Sequence, residues 1–196
     1  MSNSNKPYGF RPVGTLGNAS YAGSVRKFAV PADNANAIFI GDTVVLAGTS
    51  DAMAVYPGDV LVPEVAVGAA AAIVVGVCVG VEPKYSDLTI NYRKASTFMY
   101  IFVDVDPMTI YSVQGDSTVF AVTQIGLNAT ITATGGDTAT GRSKFVITNP
   151  QASATEDVLI LGVDPAPDNG VGAYMRFLVK LNLHQFASGV VRVGVA

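Results

Sequence analysis

The residues able to do chemistry are few, and their spacing does not gather them into one site. The 196-residue chain holds one histidine, His184, and one cysteine, Cys78. A single imidazole cannot build a zinc or iron centre that needs several. No Gly-x-Ser-x-Gly elbow occurs and no cysteine adjoins His184, so nucleophilic catalysis has no signature. His184 falls on the polar parity of residues 174–186, which predicts a histidine on a strand's surface or at an interface. Cys78 lies inside the apolar run 73–81, where the expected state is a buried, inert thiol, and a lone cysteine excludes an internal disulfide framework.

Three further patterns resemble sites and are better read as turns. Gly136-Asp137-Thr138-Ala139-Thr140-Gly141-Arg142-Ser143 matches a phosphate-binding loop except for arginine in place of lysine. Such a loop needs a helix after it, so that backbone N–H groups converge on the phosphates, whereas residues 144–149 carry a strand pattern. The aspartate pairs Asp104/Asp106 and Asp164/Asp168 could each lend oxygens to a cation, which wants six to eight of them. Neither has EF-hand spacing, and Asp, Asn, Pro and Gly in this order favour turns. The expectation is therefore no catalytic residue, no metal and no cofactor, and a protein that is not an enzyme.

Composition points the same way. Hydrophobic residues make up 49% and charged residues only 14% of the chain, against roughly 25% charged in an ordinary soluble domain. A surface that sparse in charge is covered by Ala, Gly, Ser, Thr and Val, which suits either a protein docked on neighbours or a tightly folded all-β protein with a small-residue surface. The formal net charge is −3, and the basic residues are scattered, so nucleic acid is not expected as a direct partner. Residues 65–81 are uncharged but rich in Ala and Gly with Glu64 and Glu82 as flanks, which argues against a membrane span. Residues 1–6 lack the apolar stretch of a signal peptide.

The elements that must carry these residues read as strands: short Val-, Ile-, Thr-, Phe- and Tyr-rich runs separated by Gly, Pro, Asp and Asn. Strands are predicted at 25–30, 43–47, 60–62, 73–81, 97–105, 110–113, 119–121, 129–133, 145–148, 159–164 and 175–183. Short helical turns fit 32–37 or 119–124. The fold class is all-β, a β-sandwich or β-barrel of jelly-roll-like or related type. Along 174–186 one parity is polar and the other apolar, so that strand should have one wet face. Both parities of 73–81 are apolar, which predicts cover on two sides, by the core and by either another layer of the chain or a neighbouring subunit.

Residues 1–24 contain two prolines and four glycines with no sustained period, and read as an extended arm attached to a single body, 25–196. Tyr8, Phe10 and Tyr21 are the expected anchors, on a partner or on the body. Residues 134–144 read as an exposed, mobile hairpin loop.

Several stretches together resemble the capsid decoration or cement proteins, and other small virion structural proteins, of tailed bacteriophages. They are Asn5-Lys6-Pro7-Tyr8-Gly9-Phe10-Arg11-Pro12-Val13, Gly41-Asp42-Thr43-Val44-Val45, Val75-Gly76-Val77-Cys78-Val79-Gly80-Val81, Tyr100-Ile101-Phe102-Val103-Asp104-Val105-Asp106-Pro107 with Ile110-Tyr111-Ser112-Val113-Gln114, and Val179-Lys180-Leu181-Asn182-Leu183-His184-Gln185. The resemblance covers most of the chain in patches. It implies a protein made in the bacterial cytoplasm and carried on the exterior of the capsid, with the major capsid protein and further copies of itself, as dimer or trimer, for partners. It implies no small-molecule substrate, no membrane and no direct nucleic-acid contact, and an arm laid on the shell through Tyr8, Phe10 and Tyr21 with Lys6 and Arg11 pairing acidic groups around them. A tail, baseplate or minor shell protein is the alternative within the virion. A carbohydrate-binding β-sandwich using Asp104, Asp106 and loop aromatics is the alternative outside it, disfavoured because Trp is absent.

Overall fold

Alternating β-branched and aromatic residues settle into strands because they pack well on a pleated, half-buried surface. The computed structural model describes residues 3–17, 20–50, 61–85 and 87–187. In chain order its strands are β1 (Arg11–Thr15), β2 (Val25–Val30), β3 (Thr43–Ser50), β4 (Pro63–Val67), β5 (Gly76–Val81), β6 (Met99–Asp104), β7 (Thr109–Gln114), β8 (Asn128–Thr132), β9 (Gly136–Asp137), β10 (Arg142–Ser143), β11 (Val146–Gln151), β12 (Val158–Val163) and β13 (Arg176–Leu181). Among the described residues one 3-10 turn, Val122–Gln124, falls inside the expected helical turn at 119–124, whereas 32–37 forms no helix.

The all-β expectation holds, and it takes the form of two units. Strands β2-β4-β3-β5-β6 form a closed barrel. β2 and β6 pair along their whole length, from Val25 opposite Asp104 to Val30 opposite Met99, and a parallel contact of Ala29 with Glu64 seals the ring. The other unit is a six-stranded sheet in the order β1-β7-β13-β12-β8-β11. It curls back on itself: Gly115, just past β7, bridges Ile147 of β11, and the Asp116 N–H donates to the Ile147 carbonyl at 3.1 Å.

Each unit has its own core. The barrel encloses Phe28, Val30, Val44, Val65, Cys78, Ile101 and Val103. The sheet wraps a larger cluster rich in rings, including Phe10, Tyr111, Phe120, Phe145 and Phe177. β5 serves both, with Val77 in the sheet's core and Cys78 in the barrel's. The double-apolar run at 73–81 is therefore covered on its second side by this chain. Gly76 permits that close layering, since a Cβ there would sit 1.8 Å from the Asp104 carbonyl oxygen.

Two expectations about elements need correction. Residues 119–121 are not a strand: Val119 is exposed, while Phe120 inserts its ring against Phe177, centroids 5.0 Å apart. The N-terminal segment is not an arm standing off the body over its described part. Arg11–Thr15 is a strand of the sheet, paired with β7 from Arg11 opposite Ser112 to Thr15 opposite Thr109. Pro12 and a bulge between Pro12 and Gly14 break its alternation, so no strand period shows in the sequence. The strand expected at 60–62 starts later, at Pro63, and Val60 lies outside the described residues. The hairpin foreseen at 134–144 is present as β9–β10, but it is not an exposed loop throughout. Gly141 and Ser143 are buried, and it docks on the segment that enters β3 through Ile40 N–H to Gly141 O at 3.0 Å and Ser143 N–H to Ile40 O at 2.9 Å.

Candidate interaction surface

Residues 3–15 run as a strap across the junction of the two units, stitched down by side chains as well as backbone. Asn3 donates to the carbonyls of Gly170 and Ala173 at 2.7 and 2.8 Å and accepts from the Gly170 N–H at 2.7 Å. The buried Gln114 amide accepts from the Lys6 N–H at 3.1 Å and donates to the carbonyls of Ser4 and Tyr174 at 2.8 and 3.0 Å. At the crossing with the barrel, the Phe10 N–H donates to Gly41 O at 2.9 Å. Gly9 has φ +71°, and a Cβ there would lie 2.4 Å from the Ser143 Cβ, so only glycine passes between strap and hairpin.

The five residues expected at an interface divide between roles. Phe10 is 1% exposed and edge-on to Tyr111 in the sheet's core, so it anchors on this chain and offers a partner nothing. Tyr8 is half-buried, its hydroxyl 2.6 Å from Ser112 Oγ, which in turn donates to Asp164 at 2.6 Å; burial raises its pKa above the ordinary tyrosine value. Tyr21 is half-buried, and burial next to Asp104 pushes its hydroxyl up to about 12. Lys6 and Arg11 are exposed. Tyr8 and Arg11 line two neighbouring clefts. One, about 330 Å³, is polar and includes Lys6, Gln114, Asp168 and Arg176. The other, also about 330 Å³, has a mainly apolar lining that includes Phe10, Pro12, Ile40 and Val79, with Arg142 among its members. Arg176 pairs with Asp168, which holds that carboxyl below the usual range.

Both aspartate pairs stand where a strand gives way to a turn: Asp104 ends β6 and Asp106 opens the turn after it, while Asp164 and Asp168 follow β12. Asp104 is buried, accepts the Tyr111 hydroxyl at 3.0 Å, and has its pKa raised by burial. Asp106 accepts the Met108 N–H at 2.8 Å. Asp164 accepts the Ala166 N–H at 3.1 Å, and its carbonyl receives Asn169 at 2.8 Å. A sugar cannot reach Asp104, so the carbohydrate site imagined around it is not available. Among the described residues no three His, Cys, Asp or Glu side chains are grouped to hold a metal ion.

His184 corrects its expected place. Strand β13 ends at Leu181, so the parity rule stops there, and the imidazole turns inward beside Val74, fully buried. Its Nδ1 accepts the Phe186 N–H at 3.1 Å, which puts the proton on Nε2, and burial pushes its pKa down to about 4 with help from Lys180. Cys78 is buried as expected, its thiol pushed up to about 12 by burial first and then by Asp42.

Two buried charged residues had no signature in the sequence. Asp42 is 1% exposed, accepts the Phe39 N–H at 2.8 Å, and burial pushes its carboxyl up to about 6. Arg93 is fully buried and gives its guanidinium to the carbonyls of Pro31, Asn34, Asn36 and Thr97 at 2.6, 2.9, 2.5 and 2.8 Å. It staples the loops that leave β2 and enter β6. The Arg93-Lys94 pair was the only hint, and nothing in it marked one residue as internal.

An aromatic groove of about 510 Å³ lies elsewhere on the barrel wall, lined by Tyr85, Phe98, Tyr100 and Phe102. Lys27 already sits 3.6 Å over the Tyr100 ring, and its ammonium reaches Glu82 at 3.4 Å. No helix among the described residues is long and apolar enough to cross a membrane. No protein-family model, curated protein or solved structure matches this chain.

Proposed function

We propose that this chain is a structural virion protein of a tailed bacteriophage, a cement or decoration subunit that binds the outside of the shell and bridges capsomers without catalysing a reaction. The observation that carries the reading is apolar surface placed on projecting loops. Val119, Val122 and Val171 are 74%, 55% and 63% exposed, on two loops joined by the Phe120 N–H to Gly172 O bond at 3.3 Å. Side chains of this kind held in water favour burial against another protein, at about 25 cal/mol per Å². The low charge content supports the same reading, and so does the patchwork resemblance to cement proteins. Many modest contacts repeated over a shell add to a strong attachment, which fits a small rigid subunit present in many copies, as dimer or trimer.

Immunogold labelling of purified particles from the virus that encodes the chain tests this. Gold over the outer face of intact heads is the expected result. Particles free of the chain, or labelled only on the tail, would overturn the cement reading.

A further inference from the structure

We infer that the two clefts flanking the N-terminal strap form one docking face for an acidic segment of a protein partner, an apolar side chain flanked by carboxylates. This deepens the reading above and rests on it for the partner's being a protein.

Charge is the first ground. The chain as a whole is acidic, 15 Asp and Glu against 12 Lys and Arg. The two clefts reverse that balance: Lys6, Arg11, Arg142 and Arg176 line them, and Asp168 is their one acid. Only Arg176 is neutralised, by Asp168; among the described residues Lys6, Arg11 and Arg142 belong to no ion pair. All three are exposed, Arg11 with its guanidinium 6.0 Å over the Tyr8 ring. A bidentate guanidinium–carboxylate contact is among the stronger polar contacts a surface can offer.

Shape is the second. The cleft between strap and hairpin is lined by the partly exposed Pro12, Ile40 and Val79 beside Arg11 and Arg142, so one hollow joins apolar side chains to cations. Apolar contact combined with charged groups is the composition of a protein interface. The strap is already fixed by Asn3, Gln114 and the Gly9–Gly41 crossing, so the partner need not order it on binding. A phosphate backbone would need a longer basic stripe and would meet a body of net charge −3.

The test uses the full chain and three fluorescein-labelled probes read by anisotropy at about 50 mM salt: the peptide Asp-Glu-Leu-Glu-Asp, its neutral counterpart Asn-Gln-Leu-Gln-Asn, and a thymidine pentanucleotide. The expected result is saturable binding of the acidic peptide only, weakened roughly tenfold or more in Arg11→Gln/Arg142→Gln, a variant that keeps its melting temperature because both side chains are exposed. Equal affinity in the variant overturns the inference, as does absence of saturable binding by the native chain. Tighter binding of the oligonucleotide than of the peptide assigns the face to nucleic acid and overturns it too. Labelled heads with no charge-dependent peptide binding would sink the docking face and leave the virion reading; the reverse combination would sink the virion reading alone.

Discussion

The barrel and the curled sheet solve the same problem, filling a space between strands, with different means. The barrel closes through its backbone, and its narrow inside accepts Val, Ile and Cys with Phe28 as the one ring in the cluster. Its mouth is then tied by a charged staple, Arg93 on four carbonyls. The sheet closes only through the Gly115–Ile147 bridge, encloses a wider space, and fills it with rings, one of which comes from the strap. The lesson is that ring closure lets small side chains suffice, while an incompletely closed sheet depends on large ones and on a segment distant in sequence.

Breaking the staple should have the largest effect. Arg93→Met removes the charged donor from four carbonyls, of which Pro31 O and Asn34 O keep a backbone N–H partner and Asn36 O and Thr97 O lose theirs. A loss of about 5 kcal/mol is expected, read by urea unfolding, with the barrel strands losing amide protection first. A loss below about 1 kcal/mol would mean the guanidinium is incidental to barrel closure. Phe10→Ala comes next. It empties a ring site in the sheet's core, and about 4 kcal/mol should be lost, with exchange protection falling in β7 and β13 before β2 and β6. Equal loss of protection in both units would show that they unfold as one.

The junction between the units can be probed with pH. Folded Asp42 keeps its proton up to about pH 6, while the ordinary value is 3.8. Protonation therefore favours the fold, a contribution complete below 3.8 and lost as pH rises through 6. Asp42→Asn should accordingly be the more stable protein at pH 7, by roughly 3 kcal/mol, with the gap closing on acidification. His184 works oppositely: at about 4 folded against 6.5 ordinarily, it contributes stability above 6.5 that is lost as pH falls through 4. His184→Phe should overtake the native chain progressively below pH 6.5, by roughly 3 kcal/mol near pH 4. Urea midpoints across this range, compared variant by variant, check both signs. The smallest effect belongs to the surface: Arg176→Gln breaks a pair whose acid is mostly exposed, and less than about 1 kcal/mol should be lost.

What the sequence made legible follows from periodicity. Strands such as Val25–Val30 were read at their true bounds, and the two-sided burial of 73–81 was visible as apolar residues on both parities. Which layer supplied the second cover was not visible, because that is set by tertiary pairing. β1 hid behind Pro12 and its bulge, and His184 was misplaced by extending a two-residue period past the end of β13. Of the residues that line the two clefts beside the strap, Lys6, Tyr8 and Arg11 were legible as aromatic and basic residues on an irregular segment. Arg142 and Arg176 were not, since the fold brings them beside the strap from far along the chain.

The central proposal is that this protein acts by contact with other virion proteins, and zero-length carbodiimide coupling of intact particles, read at the strap face, tests it most directly. Mass spectrometry of the coupled particles should find Lys6 joined to an aspartate or glutamate of a different virion protein. Particles that contain the chain with Lys6 coupled to nothing, while other surface lysines are coupled, would contradict the account.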